Sequence, residues 1–273
     1  MIRIGTVWDR TVEVLQGRGG ILATIALLTL FLPAVASGAF RSFTDPRSAA
    51  MMAGVPIGIV LLLLLVFGLL AITAVASDPA VDRQAAFRIA GRRLLPAIGA
   101  LFVVGLIIGL FAVPAAIAFA VSGATMNTAG AVNFEQAAVG RVLVFAILLL
   151  LSGLFALWII AKLVPLLAVI IGEGMALRAI RRSFHLTRGA TMKLIGFLIL
   201  YLIVAGVLSI AATLVTGTVA RIALGSEANG AVAFLVAVAN AAVTAVTTVV
   251  QTVFYAQYYV AARAREEGLA TTS

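Results

Sequence analysis

The chain has 273 residues but no cysteine, a single histidine and only 11% charged side chains. Without cysteine there are no disulfides, thiolate metal sites, or lipoprotein and palmitoyl anchors. His185 alone cannot make a His-rich metal site, and no metal or other cofactor is expected. The scarcity of charge excludes more. A soluble domain is about 25% charged and roughly 45–50% apolar, whereas this chain is 63% hydrophobic. Too few polar side chains exist to cover a water-soluble globule. Disorder and coiled coil fail on the same ground, and a transmembrane β-barrel fails because the apolar runs are continuous, not alternating. What remains is an all-α integral membrane protein.

Six apolar stretches are long enough to cross about 30 Å of hydrocarbon as helices. They run over Gly20–Phe40, Val55–Ser77, Leu94–Ser122, Val142–Gly172, Leu194–Ala220 and Ala231–Ala262. Several exceed one crossing and must tilt, bend or run past the surface; Pro96, Pro114 and Pro165 are the expected bends. The run Pro33-Ala34-Val35-Ala36-Ser37 imitates a signal-peptide cleavage site. The long segment before it, with Asp9 and Glu13, favours a retained first helix.

The net charge of +9 is partitioned. Fourteen basic residues, among them Arg3, Arg10, Arg18, Arg93, Arg182 and Arg265, fall at one set of span ends, against four (Arg41, Arg47, Arg141, Arg221) at the other. The positive-inside rule puts both termini in the cytoplasm of a multi-pass bacterial inner-membrane protein. The outer connections Ser42–Gly54, Gly123–Gly140 and Arg221–Gly230 are too short to fold as domains. A charge pattern set by topology also argues against nucleic acid as a partner and for anionic phospholipid headgroups at the cytoplasmic face.

Amphipathic stretches precede the first, third and fifth spans. Glu173-Gly174 opens the clearest, with an apolar stripe of Leu177, Ile180 and Phe184, a polar face of Arg178, Arg181, Arg182, His185 and Arg188, and Gly189 placed to end it at positive φ. Asp78-Pro79 reads as N-cap and first helical position of the second. Ile4, Val7, Thr11 and Val14 form the stripe of the third, with Trp8 as an interface anchor. Each is expected to lie in the membrane interface. An offset of about 97 residues aligns Phe87 with Phe184, Ile98 with Ile195 and Gly99 with Gly196. This suggests three parallel repeats over residues 1–77, 78–172 and 173–262 of one polytopic domain, residues 1–273.

Two stretches carry a family resemblance. Lys162-Leu163-Val164-Pro165, Glu173-Gly174 and Arg182-Ser183-Phe184-His185-Leu186-Thr187-Arg188-Gly189 form the first; Tyr258-Tyr259 with Arg263, Arg265, Glu266, Glu267 and Gly268 form the second. Together they resemble the membrane domain of some bacterial glycerophosphoryl diester phosphodiesterases. Val260-Ala261-Ala262 stands where such proteins often carry an acidic residue. The phosphodiesterase chemistry of that family belongs to a separate soluble barrel, so the resemblance implies a membrane module acting as anchor, scaffold or lipid-handling accessory, with no catalytic residue.

The candidate site residues are Lys162, Pro165, Glu173, Arg178, Arg182, Ser183, Thr187 and Arg188. On an unbroken fourth helix Lys162 would lie about 15 Å inside its end and would need a polar partner; if the crossing ends near Ala161, it snorkels to phosphates and Leu163–Gly172 continues as an apolar segment bent at Pro165. Glu173 is either a carboxylate at a helix start or a partner for Arg178 or Arg182. Arg182, Ser183, Thr187 and Arg188 have the chemistry to bind a lipid phosphate, or form a solvated basic face. Asn240, Gln251, Thr244, Thr247, Thr248 and Thr252 suit helix–helix hydrogen bonds, and Gly105/Gly109 form a GxxxG packing motif. Two functions fit: a non-enzymatic lipid-interacting scaffold with a possible membrane-protein partner, or a small transporter or lipid translocator with a central polar cavity. Intramembrane enzyme motifs are missing.

Overall fold

The computed structural model describes residues 3–43, 50–126, 132–133, 138–225 and 228–270. Arg47 and much of the outer connections lie outside them. The elements are α1 (Ile4–Ala26), a π-helical turn (Leu27–Phe31), α2 (Leu32–Phe43), α3 (Ala50–Ser77), α4 (Arg83–Ser122), α5 (Val139–Lys162), α6 (Leu166–Glu173), α7 (Arg178–Leu186), α8 (Thr191–Leu224) and α9 (Asn229–Ala270). They form six helices long and apolar enough to cross a membrane. Each coincides with one of the six apolar stretches. A two-residue antiparallel ladder, β1 (Thr125–Met126) with β2 (Val132–Asn133), was not foreseen.

Helices α3, α4, α5, α8 and α9 touch in a closed circuit, and α1 and α2 pack outside it against α9. The short α6 sits within, against α3, α4, α7 and α9. Its consecutive residues Ala168, Val169 and Ile170 are all buried, so it is apolar on every side and enclosed by protein. Around it lies the core: Leu70, Ile72 and Val75 of α3, Ala90, Ala97 and Ala100 of α4, Leu194 of α8, and Val253 and Phe254 of α9. Phe197 stacks on Phe254 at a 3.7 Å ring separation.

All these residues lie toward one end, which also holds Arg3, Arg93, Arg182, Arg188 and Arg265. In the opposite half buried side chains are sparse (Ala115, Ala118, Ser122, Ala220, Val232, Ala241), while Phe102, Leu110, Leu150, Leu214 and Val215 are exposed. There α4 pairs with α5, and α8 with α9, along single stripes.

Several local expectations are corrected. The stretch before the third span is no separate helix: α4 runs unbroken through Pro96 and Pro114. It begins four residues later than expected, at Arg83, because Asp82 is the N-cap, accepting from the Ala85 amide at 2.7 Å. Asp78 instead bonds the Ala80 amide in a tight turn. α1 likewise continues straight into its span. Of the three proline sites, only Pro165 interrupts a helix. The π-helical turn ends two residues before Pro33, whose missing N–H removes a bond to the preceding turn.

The glycine motif is misplaced too. A Cβ on Gly105 or Gly109 would meet nothing within 4 Å, so that GxxxG faces outward. The close helix approaches fall at Gly38 against Ala237, Gly68 against Thr29 and Gly172 against Tyr259. Of the polar residues of the last span, Asn240 does bond across helices, to Thr213 Oγ1 at 2.8 Å. Gln251, Thr247 and Thr252 bond within α9.

Candidate functional site

Helix ends converge at the basic end, and their unpaired carbonyls need donors. Those at the end of α3 are met from two helices. Arg18 of α1 donates to the carbonyls of Val75, Asp78 and Val81. Gln257 of α9, only 7% exposed, donates to Ala76 O at 2.6 Å. At the end of α6, Gly174 turns the chain at φ +69° and its carbonyl accepts from Arg93 of α4. Tyr258 reaches Leu186 O at the end of α7. Gln257→Leu is expected to cost about 1–3 kcal/mol, since it leaves a buried carbonyl without its donor. Chemical unfolding in mixed micelles measures this, and an unchanged midpoint would refute the capping role.

The centre of the site is Arg182. Its Nε lies 3.2 Å from both Glu173 oxygens, and its two terminal nitrogens reach Glu266 at 3.1 and 2.5 Å. Tyr259 Oη lies 3.4 Å from Glu173 Oε1, and His185 Nδ1 3.4 Å from Glu266 Oε1. The hydrogen bonds to Glu266, ahead of those to Glu173, hold the Arg182 pKa above the ordinary arginine value. One guanidinium thus ties α6, α7 and α9, with each of its three nitrogens engaged by a carboxylate.

Glu173 ends α6 and stands five residues before the first residue of α7, so it is no N-terminal carboxylate of the basic helix. Of its two alternatives, pairing with Arg182 is the one found. A carboxylate at a helix C-terminus opposes the macrodipole, and Arg182 with the nearby Arg93 offsets that.

α7 is turned relative to the expected stripe. Ala179, Ser183, Leu186 and Thr187 are buried, Ile180 and Phe184 are half-buried, and Leu177 is 56% exposed. Small residues face inward because α6 and α9 approach closely there. Trp158 of α5 meets Phe184 edge-on at 5.9 Å.

Ser183 and Thr187 therefore point into protein, and Thr187 Oγ1 donates to Ser183 O and Lys162 O. Arg178 and Arg188 remain exposed. The residues predicted to share a phosphate are divided between an inner face, a committed clamp and an outer face. Gly189 has the expected positive φ, +84°.

Lys162 closes α5, and Leu163–Pro165 turn the chain into α6. The unbroken fourth helix is overturned, and the arrangement matches the alternative in which the crossing ends at this lysine. Since Thr187 touches its carbonyl, Lys162 stands level with the basic helix α7.

The stretches 162–189 and 258–268, separate in sequence, meet at Glu173, Arg182, Tyr259 and Glu266. Sequence reasoning missed Glu266, Gln257, Arg18 and Arg93 as partners. The adjacent carboxylates Glu266 and Glu267 of the second resembling stretch were the available signal for Glu266. Nothing local marks the others. No protein-family model, curated protein or solved structure matches the chain.

Proposed function

We propose that the chain is a non-enzymatic accessory module of a bacterial inner membrane, its basic end cytoplasmic, which engages anionic phospholipid headgroups and scaffolds a membrane-protein partner. One observation carries this reading. Basic residues from the starts of α1, α4 and α8, from α7 and from the end of α9 gather at one end of an apolar-surfaced bundle whose interior there is closely packed by α6. Such a face attracts acidic lipid by about 1 kcal/mol per cation near the surface. The resemblance to the membrane domain of glycerophosphoryl diester phosphodiesterases belongs to this proposal, as do interfacial placement of α7 and a three-unit repeat.

The test is reconstitution into nanodiscs of phosphatidylcholine alone or with phosphatidylglycerol. A higher melting temperature in the acidic bilayer, lost in high salt, is expected; identical melting in both would defeat the reading. The sparse packing of the opposite half favours a second reading, a lipid translocator. Proteoliposomes loaded with a fluorescent lipid separate the two, because a module with a closed core leaves scrambling at the protein-free rate.

A further inference from the structure

Beyond the Arg182 clamp, the basic end holds three adjoining recesses. The first, about 320 Å³, lies between the start of α1 and the end of α9 and is lined by Arg3, Thr6, Val7, Arg10, Ala261, Ala264 and Arg265. Arg10 also borders a recess with Glu13 and Arg18, and Arg265 borders one with Arg188 and Lys193. Three arginines and no acidic residue line the first.

Five of the carboxylates at this end are engaged elsewhere: Glu173 and Glu266 on Arg182, Glu267 on Arg263, Asp78 and Asp82 on backbone amides. The remaining two, Asp9 and Glu13 of α1, do not line this recess, and Glu13 borders the neighbouring one. Among the described residues, Arg3, Arg10 and Arg265 form no ion pair. A second feature points the same way. Arg3 is the N-cap of α1 without a side-chain cap hydrogen bond, and no acidic residue stands in the first turn. The first amides of α1 thus add a positive helix end to the same recess.

We infer that this recess binds a phosphomonoester group, a deepening that rests on the lipid-engaging function proposed above. A phosphomonoester carries close to two negative charges and three terminal oxygens, one for each guanidinium fork, with the Thr6 hydroxyl as a further donor. A phosphodiester offers one charge and two such oxygens. Ala261 and Ala264 keep the wall low enough for the forks to close on the group. Arg265 lies about 54 Å along α9 from its other end, beyond the about 30 Å of hydrocarbon, where headgroups and solutes both reach. The group can thus come from phosphatidate in the bilayer or from a soluble phosphate.

The experiment uses the full chain, delipidated in detergent, with native mass spectrometry against phosphatidate, phosphatidylglycerol and phosphatidylcholine, and with thermal unfolding in inorganic phosphate alone. The test variant is Arg3→Gln/Arg10→Gln/Arg265→Gln, and Arg178→Gln/Arg181→Gln is the comparison. All five side chains are exposed, and the elution profile checks folding. The wild type is expected to hold phosphatidate about tenfold more tightly than phosphatidylglycerol, the triple variant to lose that margin and the comparison variant to keep it. Stabilisation by inorganic phosphate in the wild type but not the triple variant, without a phosphatidate margin, assigns the same chemistry to a soluble source.

A triple variant that binds phosphatidate and phosphate as the wild type does overturns the recess. If the Arg178/Arg181 variant loses the lipid instead, the recess fails while the lipid-engaging function survives on α7. Equal binding of all three lipids, with no response to phosphate, sinks both.

Discussion

Arg182→Ala is expected to destabilise the protein by about 2 kcal/mol, between the roughly 0–1 kcal/mol of an exposed ion pair and the about 3–5 kcal/mol lost when a buried one is broken. The intermediate figure follows from exposure: the side chains of Arg182, Glu173 and Glu266 are 28%, 18% and 34% exposed, so water screens the remaining charges in part. Removing the guanidinium strips Glu173 and Glu266 of their shared cation. It also leaves a carboxylate at the end of α6 against the helix dipole. Arg182→Lys keeps the charge but cannot fork to two carboxylates, so it should recover only part of the loss. Glu266→Gln, which keeps the shape and removes one charge, should cost less than Arg182→Ala. Equilibrium unfolding of the three variants in mixed micelles orders them, and an Arg182→Lys variant as stable as the wild type would show that charge alone matters.

Gly68→Val is expected to cost more, about 3 kcal/mol or above, the upper range for overpacking. A Cβ on Gly68 would fall 2.2 Å from Thr29 Oγ1 and 2.8 Å from Thr29 Cβ. Thr29 has little freedom to yield. It is β-branched, buried, and bonded through Oγ1 to Ile25 O at 2.8 Å. The π-helical turn and α3 would have to part, opening the seam that includes Leu30, Val66 and Leu70. Gly68→Ala should be milder, and Thr29→Ala beside it should restore part of the loss. Gly105→Ala is the counterpart: with open space around it, the change is neutral or stabilising by up to about 1 kcal/mol through helix propensity. Thermal unfolding of Gly68→Ala and Gly105→Ala decides the point, since equal effects would mean that the π-helical turn and α3 do not approach as described.

These two glycines show where sequence reading stops. Gly105/Gly109 carries a spacing known to pack helices, yet it faces outward; Gly68 has no motif and takes the closest approach. Which face of an apolar helix meets protein and which meets lipid leaves no polarity signal, because both environments are apolar. The same holds for α6. Its residues read as the tail of the fourth span, and only the surrounding helices show it to be a separate enclosed segment. The sequence offered Pro96, Pro114 and Pro165 alike as bends, and only Pro165 breaks a helix, so the missing N–H alone did not say which proline would do so. Gly189 was legible because positive φ is a local preference of glycine, and Asp82 was displaced by the equally plausible Asp78 four residues earlier.

Composition and run length alone determined the all-helical class, the six spans and the gathering of arginines at one set of helix ends, since hydrocarbon thickness and the cost of moving charge across it act on any chain regardless of its folded form. The tertiary structure alone decided that Arg182 belongs to Glu173 and Glu266, that Ser183 and Thr187 face inward, and that Arg3, Arg10 and Arg265 share one recess. Those are pairings between residues up to about 260 positions apart, and their geometry exists only once the helices have packed.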